Sequence, residues 1–126
     1  MSLSNAWENL VIGHALCGES WTPPTTFYLS LHSSDPGDAA ASSEVSGGGY
    51  ARQSTTFTRS ENVATNFTAV QFPEATADHG TVTHFGVWTA SSGGTLVGSG
   101  AVAVSKTYNE GEIIRFPAAS ATVTID

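Results

Sequence analysis

Three consecutive glycines stand at the centre of the stretch Glu44-Val45-Ser46-Gly47-Gly48-Gly49-Tyr50-Ala51-Arg52-Gln53. Glycine adopts backbone conformations with positive φ that other residues avoid, and it lets two backbone segments approach closely. Residues 50–57, which follow the glycines, are rich in aromatic and β-branched side chains and predict a strand. The stretch therefore predicts a hinge that delivers Arg52, one of four basic residues in the chain, onto a sheet.

A phosphate-binding loop is the first alternative for the same glycines. Such a loop places its glycines before the N-terminus of a helix and usually carries a lysine. Here the glycines follow Glu44 and precede a predicted strand, which excludes this alternative. Because a cation on a sheet beside an acidic surface needs a counter-charge, we expect Arg52 to pair with a carboxylate, either that of Glu44 or one from a partner protein.

Length and composition define the class of protein. A chain of 126 residues forms one domain, and its net charge of −7 with a pI near 4.8 disfavours nucleic acid as a partner. No apolar run approaches the roughly 18 residues of a membrane span, and the N-terminus has no secretory pattern. The single cysteine, Cys17, forms no internal disulfide. Abundant Thr, Ser, Val and Gly favour β structure.

One helix is predicted, over residues 3–17. Apolar and aromatic side chains recur at helical spacing and predict one buried face, made of Leu3, Trp7, Leu10, Val11 and His14. Ser4 or Asn5 can cap its start and Gly18 can end it. The helix either closes one end of the sheet structure or presents Trp7 to a partner, and the sequence leaves both interpretations open.

Strands are predicted over 26–32, 50–57, 66–72, 81–89, 95–104, 112–116 and 121–125. Residues 26–32 alternate most regularly, with Phe27, Leu29 and Leu31 on the core side. Turn residues separate the strands, among them 59–62 and the hairpin signal Ser91-Ser92-Gly93-Gly94. The sequence predicts a single all-β domain over 1–126, an antiparallel β-sandwich or barrel of about seven strands with one N-terminal α-helix. Residues 33–49 form an extended loop or arm in this prediction.

Catalytic and metal-binding patterns are weak. His79 and His84 lie five residues apart beside Asp78, and Asp35, Asp38 and Glu44 lack the alternating spacing of a calcium loop. No nucleophile elbow is present. We therefore expect no enzyme activity, no metal and no cofactor. A carbohydrate-binding platform is a separate possibility, formed by Trp7, Trp21, Trp88 and the tyrosines.

A family resemblance covers nearly the whole chain. It is carried by residues 3–9 (LSNAWEN), by 26–32 (TFYLSLH) with Asp35-Pro36, by 44–53 (EVSGGGYARQ), by 77–87 (ADHGTVTHFGV) and by 123–126 (VTID). Together these segments resemble a family of small tailed-bacteriophage virion proteins that is often labelled "tail fibre protein". The resemblance implies a structural component of the phage particle, assembled in the bacterial cytoplasm, with no catalytic residues.

Two positions on the particle are consistent with this resemblance. The chain is short and has no repetitive shaft, which favours a capsid decoration or cement subunit bound to the major capsid protein. The alternative is a tail fibre or a tail-associated structural or adhesion protein, for which carbohydrate is a candidate ligand. We expect a homo-oligomer, a trimer or a dimer. The predicted interface residues are Trp7, Leu10, Glu44, Gly47, Gly48, Gly49, Tyr50 and Arg52.

Overall fold

The structure, a computed structural model, describes residues 2–36, 43–66, 68–117 and 121–124. Helix α1 spans Asn5–Leu16, which agrees with the predicted helix. Ser4 is its N-cap: the Ser4 hydroxyl accepts a hydrogen bond from the Trp7 backbone N–H at 3.3 Å and donates to the carbonyl of Leu96. The cap therefore also ties the helix to the main sheet.

Helix α1 buries less of its surface than the sequence predicts. Only Trp7 and Gly13 are buried, whereas Leu10 and His14, which were expected on the core side, are exposed. The residues after the helix fold back over it, and the carboxylate of Glu19 lies directly against Gly13. The helix thus docks mainly through Trp7. Val11 is half-buried and lines an apolar cavity with sheet residues such as Phe27 and Val97.

Ten strands form in the described residues, and every pairing is antiparallel. They are β1 Ser2–Leu3, β2 Phe27–His32, β3 Gln53–Thr55, β4 Phe57–Ser60, β5 Val63–Asn66, β6 Val70–Gln71, β7 Gly80–Trp88, β8 Leu96–Tyr108, β9 Arg115–Phe116 and β10 Thr122–Thr124. The sheet orders are β1-β8-β7-β2-β3, β10-β5-β4 and β6-β9. The all-β class with one N-terminal helix is confirmed. These described sheets are open and sandwich-like rather than closed into a barrel.

Two predicted strands are divided in the structure. The run 50–57 becomes β3 and β4, and the run 66–72 is shared between the end of β5 and the short β6. Asn66 interrupts the second of these predicted strands, 66–72. Its buried side-chain amide donates to the carbonyls of Thr68 and Pro117 at 2.9 and 3.0 Å, and its oxygen accepts from the Ala121 N–H at 2.9 Å. These tertiary contacts turn the chain where alternation alone predicts a continuous strand.

Strand β2 is an inner strand of the main sheet and lies between β7 and the edge strand β3. Leu29 and Leu31 belong to the hydrophobic core, as predicted. On the other side of the strand Ser30 and His32 are also fully buried, whereas alternation predicts a polar face towards water. Gly86 of β7 lies opposite Ser30, and a Cβ at Gly86 would lie 2.7 Å from Ser30 Oγ and 3.0 Å from His32 Nε2. The missing side chain therefore makes room for a buried polar pair.

We predict that Gly86→Ala lowers the free energy of unfolding by about 1–3 kcal/mol, because the added methyl overlaps Ser30 and His32. Chemical denaturation of the variant and of the wild-type protein measures this difference. In a Ser30→Ala background the same change should cost less, since its nearest clashing atom is gone. Equal costs in the two backgrounds would show that this contact is not the cause.

Candidate functional site

The most concentrated polar site is built around an ion pair between Arg52 and Glu44. Arg52 Nε donates to Glu44 Oε2 at 2.8 Å, and a terminal nitrogen donates to Oε1 at 2.8 Å. This is a two-point, fork-like pairing, in which geometry as well as charge holds the partners. The side chains are only 8% and 17% exposed, respectively. The expected neutralisation of Arg52 by a carboxylate is confirmed, with Glu44 of the same chain as the partner.

Arg52 also reaches the hairpin that joins β7 to β8. Its second terminal nitrogen donates to the carbonyls of Ala90 and Gly93 at 3.1 and 2.9 Å. The guanidinium carbon lies 4.0 Å from the ring centroid of Trp88, a cation–π contact. One side chain thus connects the segment before β3, the 89–95 hairpin and Glu44. The hairpin itself forms where Ser91–Gly94 predicts it, with positive φ at Gly93 and Gly94.

Tyr50 connects the ion pair to the edge of β2. Its hydroxyl donates to Glu44 Oε2 at 2.7 Å and accepts the Leu31 backbone N–H at 3.1 Å. The Val45 N–H donates to the Leu31 carbonyl at 2.9 Å, and His32 pairs with Glu44 in an isolated antiparallel bridge. Residues 43–45 therefore cover the part of β2 that β3 is too short to reach.

A chain of hydrogen bonds crosses the buried polar face of β2. Trp88 Nε1 donates to Ser30 Oγ at 2.8 Å, Ser30 Oγ lies 2.7 Å from His32 Nε2, and His32 Nδ1 lies 3.2 Å from Ser43 Oγ. Ser43 donates to the Ser34 carbonyl at 3.0 Å. Because a neutral imidazole has one donor and one acceptor, these partners assign the proton of His32 to Nδ1.

Burial and pairing set the protonation states in this site. Burial lowers the pKa of His32 from 6.5 to about 4, so the ring is neutral at pH 7. Burial would raise the pKa of Glu44, but hydrogen bonds from Arg52 and Tyr50 hold it below its usual value. Burial, together with its bond to Glu44, raises the pKa of Tyr50 well above its normal range. The site therefore holds a fixed ion pair and neutral partners, and no group in it is poised for proton transfer near pH 7.

The three glycines form a turn with positive φ at Gly47, Gly48 and Gly49. The Gly48 carbonyl accepts the Thr76 N–H at 2.9 Å and lies 3.0 Å from His79 Nε2. A Cβ at Gly48 would lie 3.0 Å from the Ala77 carbonyl oxygen. The close approach expected of these glycines thus occurs within the chain, against the 74–79 loop, and the strand begins at Gln53 rather than directly after them.

The described part of the 33–49 segment differs from an arm that leaves the domain. The Ser33 N–H donates to the Ser43 carbonyl at 3.0 Å, so the two ends of the loop meet beside β2. Val45 is part of the hydrophobic core. Residues 37–42, which include Asp38, lie outside the described residues. The segment that was interpreted as an arm therefore contributes its second half, 43–49, to the stability of the sheet.

The predicted interface residues occupy two different environments. Glu44, Tyr50 and Arg52 bond to one another inside the domain. Trp7 is buried, with its ring 5.0 Å from Trp21 and 5.7 Å from Phe27 between centroids. Leu10 remains on the surface, 37% exposed. Trp88 is also buried, so the three tryptophans do not form a shared carbohydrate platform.

Sequence reasoning missed Ser30, Ser43 and His32 as members of the site. Alternation placed Ser30 and His32 together on one face, and that was the only available signal. Their partners lie far along the chain, as with Trp88 and Ser30, 58 residues apart. Among the described residues no three His, Cys, Asp or Glu side chains are grouped as metal ligands require, and no helix found there has the length and apolar character to cross a bilayer.

Comparison with known protein families identifies the family of this chain. Residues 2–124 match the family described as Podophage GP4 fiber I protein gp80. The chain belongs to this family. The resemblance to small tailed-phage virion proteins is therefore confirmed, and the chain is a member of a phage fibre family with a structural role in the virion. The family description favours the tail-fibre alternative over capsid decoration. No curated protein sequence matches the chain.

We predict that Arg52→Ala lowers the free energy of unfolding of this fibre-family protein by about 3 kcal/mol, because it leaves the Glu44 carboxylate largely buried without its counter-charge. Arg52→Lys should recover only part of the loss, since an ammonium group cannot make the two-point pairing. Chemical denaturation at pH 7 measures both.

The matched control is Lys106→Ala, which breaks an exposed ion pair with Glu112 at 3.1 Å. Its effect on the denaturation midpoint should be small, because exposed pairs are screened by solvent. An Arg52→Ala variant as stable as Lys106→Ala would contradict the structural role assigned to the Glu44–Arg52 pair.

Acidification should destabilise the protein in two successive ranges. Between pH 6.5 and about 4, unfolded His32 binds a proton that the folded protein excludes, so the free energy of unfolding falls as the pH falls. At lower pH the free energy of unfolding falls again, because Glu44, whose pKa is lowered in the folded protein, becomes protonated and loses its ion pair. Thermal melting between pH 7 and pH 4 measures the first range. His32→Asn should flatten it, and a wild-type slope in that variant would contradict the assignment of this range to His32.

Proposed function

We propose that this protein is a structural subunit of a tail-associated phage fibre and that the outer face of helix α1 attaches it to neighbouring virion proteins. The family match supports the fibre role. The observation that supports the surface is the exposure of Ile12 and Leu16, which are 56% and 81% exposed. An apolar helix face that is exposed to water in the isolated subunit is typical of a surface for protein–protein contact.

The arrangement of α1 explains why this face remains open. Trp7 docks the helix to the core, and Ile12 and Leu16, four residues apart, share the side that points away from Trp7. Leu10 lies between the two sides and is also exposed. A helix that is apolar on several sides is typical of a segment covered in an assembly. We therefore assign the attachment role to Ile12 and Leu16. The interface role of Leu10, which lies on a different side of the helix beside Glu19 and Trp21, stays a prediction.

The acidic surface fits a role in assembly. The net charge of −7 favours solubility of the free subunit. Only 12% of its residues are charged, so it also has long uncharged stretches that can be buried against other virion proteins. The Glu44–Arg52 site supports the same role from inside, because it fixes the loops of the sheet without offering a reactive group. Carbohydrate binding has no comparable support, since two of the three tryptophans are in the core.

We expect Ile12→Asp and Leu16→Asp to reduce incorporation of the protein into phage particles at least tenfold while the purified subunit stays folded. A charge at either position opposes burial of this face, and exposed positions tolerate substitution within about 0.5 kcal/mol. Complementation of a phage lacking the gene, followed by quantitative blotting of purified particles, measures incorporation. Thr58→Asp, at an exposed strand position, is the control for the added charge.

Fractionation of the same particles into tails and filled capsids tests the fibre assignment. Recovery of the protein with tails supports it, and recovery with tail-free capsids would establish the decoration role instead. Wild-type levels of incorporation for both helix variants would contradict the proposed attachment surface.

A further inference from the structure

A second exposed apolar surface lies between strands β8 and β9. Its floor is formed by Phe85, Ile114 and Phe116, and Val104 and Arg115 stand at its rim. We call it the β8–β9 groove. Its volume of about 180 Å³ is below the roughly 300–1,000 Å³ of typical small-molecule sites. The groove therefore suits a few side chains of another protein better than a free ligand.

A large bulge in β8 creates the rim. Val82 pairs with Lys106 and His84 pairs with Ala101, so residues 102–105 lie opposite Thr83 alone. A bulge of this kind redirects side chains away from the pleat of the sheet, and Val104 is 78% exposed as a result. On the β9 side Ile114 and Phe116 point into the core, which leaves Ile113, 48% exposed, on the outward side with Arg115.

The charges beside the groove are complementary but not paired with each other. The guanidinium of Arg115 makes no ion pair or hydrogen bond to any described residue, and neither does the carboxylate of Glu110; both side chains are exposed. Their neighbours Lys106 and Glu112 do pair, at 3.1 Å. Arg115 and Val104 thus line the groove as an unpaired cation and an exposed apolar side chain. The same 109–116 segment also carries the unpaired carboxylate of Glu110 and the exposed Ile113.

We propose that the β8–β9 groove is a contact between two copies of this chain related by a two-fold axis. Such an interface is self-complementary: each residue that contacts a second residue on the partner is matched by the reverse contact. Arg115 of one copy pairs with Glu110 of the other, and the exchange occurs twice. Val104 and Ile113 of both copies pack around the axis and exclude water from the pairs. This surface is distinct from the helix face proposed to attach the subunit to the particle.

Charge exchange tests the contact. The weight-average mass of the purified full chain, measured by sedimentation equilibrium, should rise with concentration from 13.0 kDa towards twice that value. Val104→Asp, Arg115→Glu and Glu110→Arg should each remain monomeric across the same concentrations. Arg59→Glu, which makes the same charge change at another exposed arginine, should associate like the wild type. Thermal melting confirms that each variant is folded.

Two restorations make the test specific. The double variant Glu110→Arg with Arg115→Glu should dimerise again, because the opposite charges still meet with their positions exchanged. An equimolar mixture of the two single variants should also form a heterodimer, since both of its charge pairs are attractive.

Three results would overturn the proposal. They are a wild-type protein that stays monomeric, single variants that dimerise as the wild type does, or a mixture that does not associate. Incorporation into particles is measured separately, on the helix variants. A negative sedimentation result therefore does not contradict the fibre assignment, and normal incorporation of the helix variants does not contradict the contact between two copies.

Discussion

The Glu44–Arg52 pair is the interaction on which the rest of the structure depends. Arg52 stands just before β3, Glu44 lies beside the end of β2, and the carbonyls that Arg52 also binds belong to the hairpin between β7 and β8. Three segments that lie far apart in the chain are therefore joined by one guanidinium. Because the pair is largely removed from water, it stabilises only this geometry: any other packing would leave a charge without its partner.

The pair also explains how a polar face can be buried in the middle of the main sheet. Residues 43–45 are held beside β2 by Glu44, and they bring Ser43 to His32 while Tyr50 takes the free Leu31 N–H. Gly86 supplies the space on the other side. Each polar group on this face has a named partner, so the burial is tolerated. The result is an interior in which an ion pair and neutral hydrogen-bonded groups hold one another in place.

The two surfaces that we propose as contacts are ones that the domain leaves uncovered. The outer side of α1 and the β8–β9 groove both expose aliphatic side chains, and neither adjoins the Glu44–Arg52 site in sequence. The family match supports a structural role in the phage particle, and contacts of this kind would serve that role.

Local chemistry determined a good part of this structure from the sequence. Alternation located β2, the 91–94 turn residues located the β7–β8 hairpin, Ser4 marked the start of α1, and charge balance required a carboxylate for Arg52. These features depend on neighbours close in the chain or on charge alone. Tertiary contacts decided the others: Asn66 divides a predicted strand through residues more than 50 positions away, and Trp7 is buried because β2 and the Trp21 loop meet it. Tertiary contacts also decided the path of the glycine stretch. Its glycines allow either an arm or a tight turn, and the turn forms because Glu44 and Val45 pair with β2.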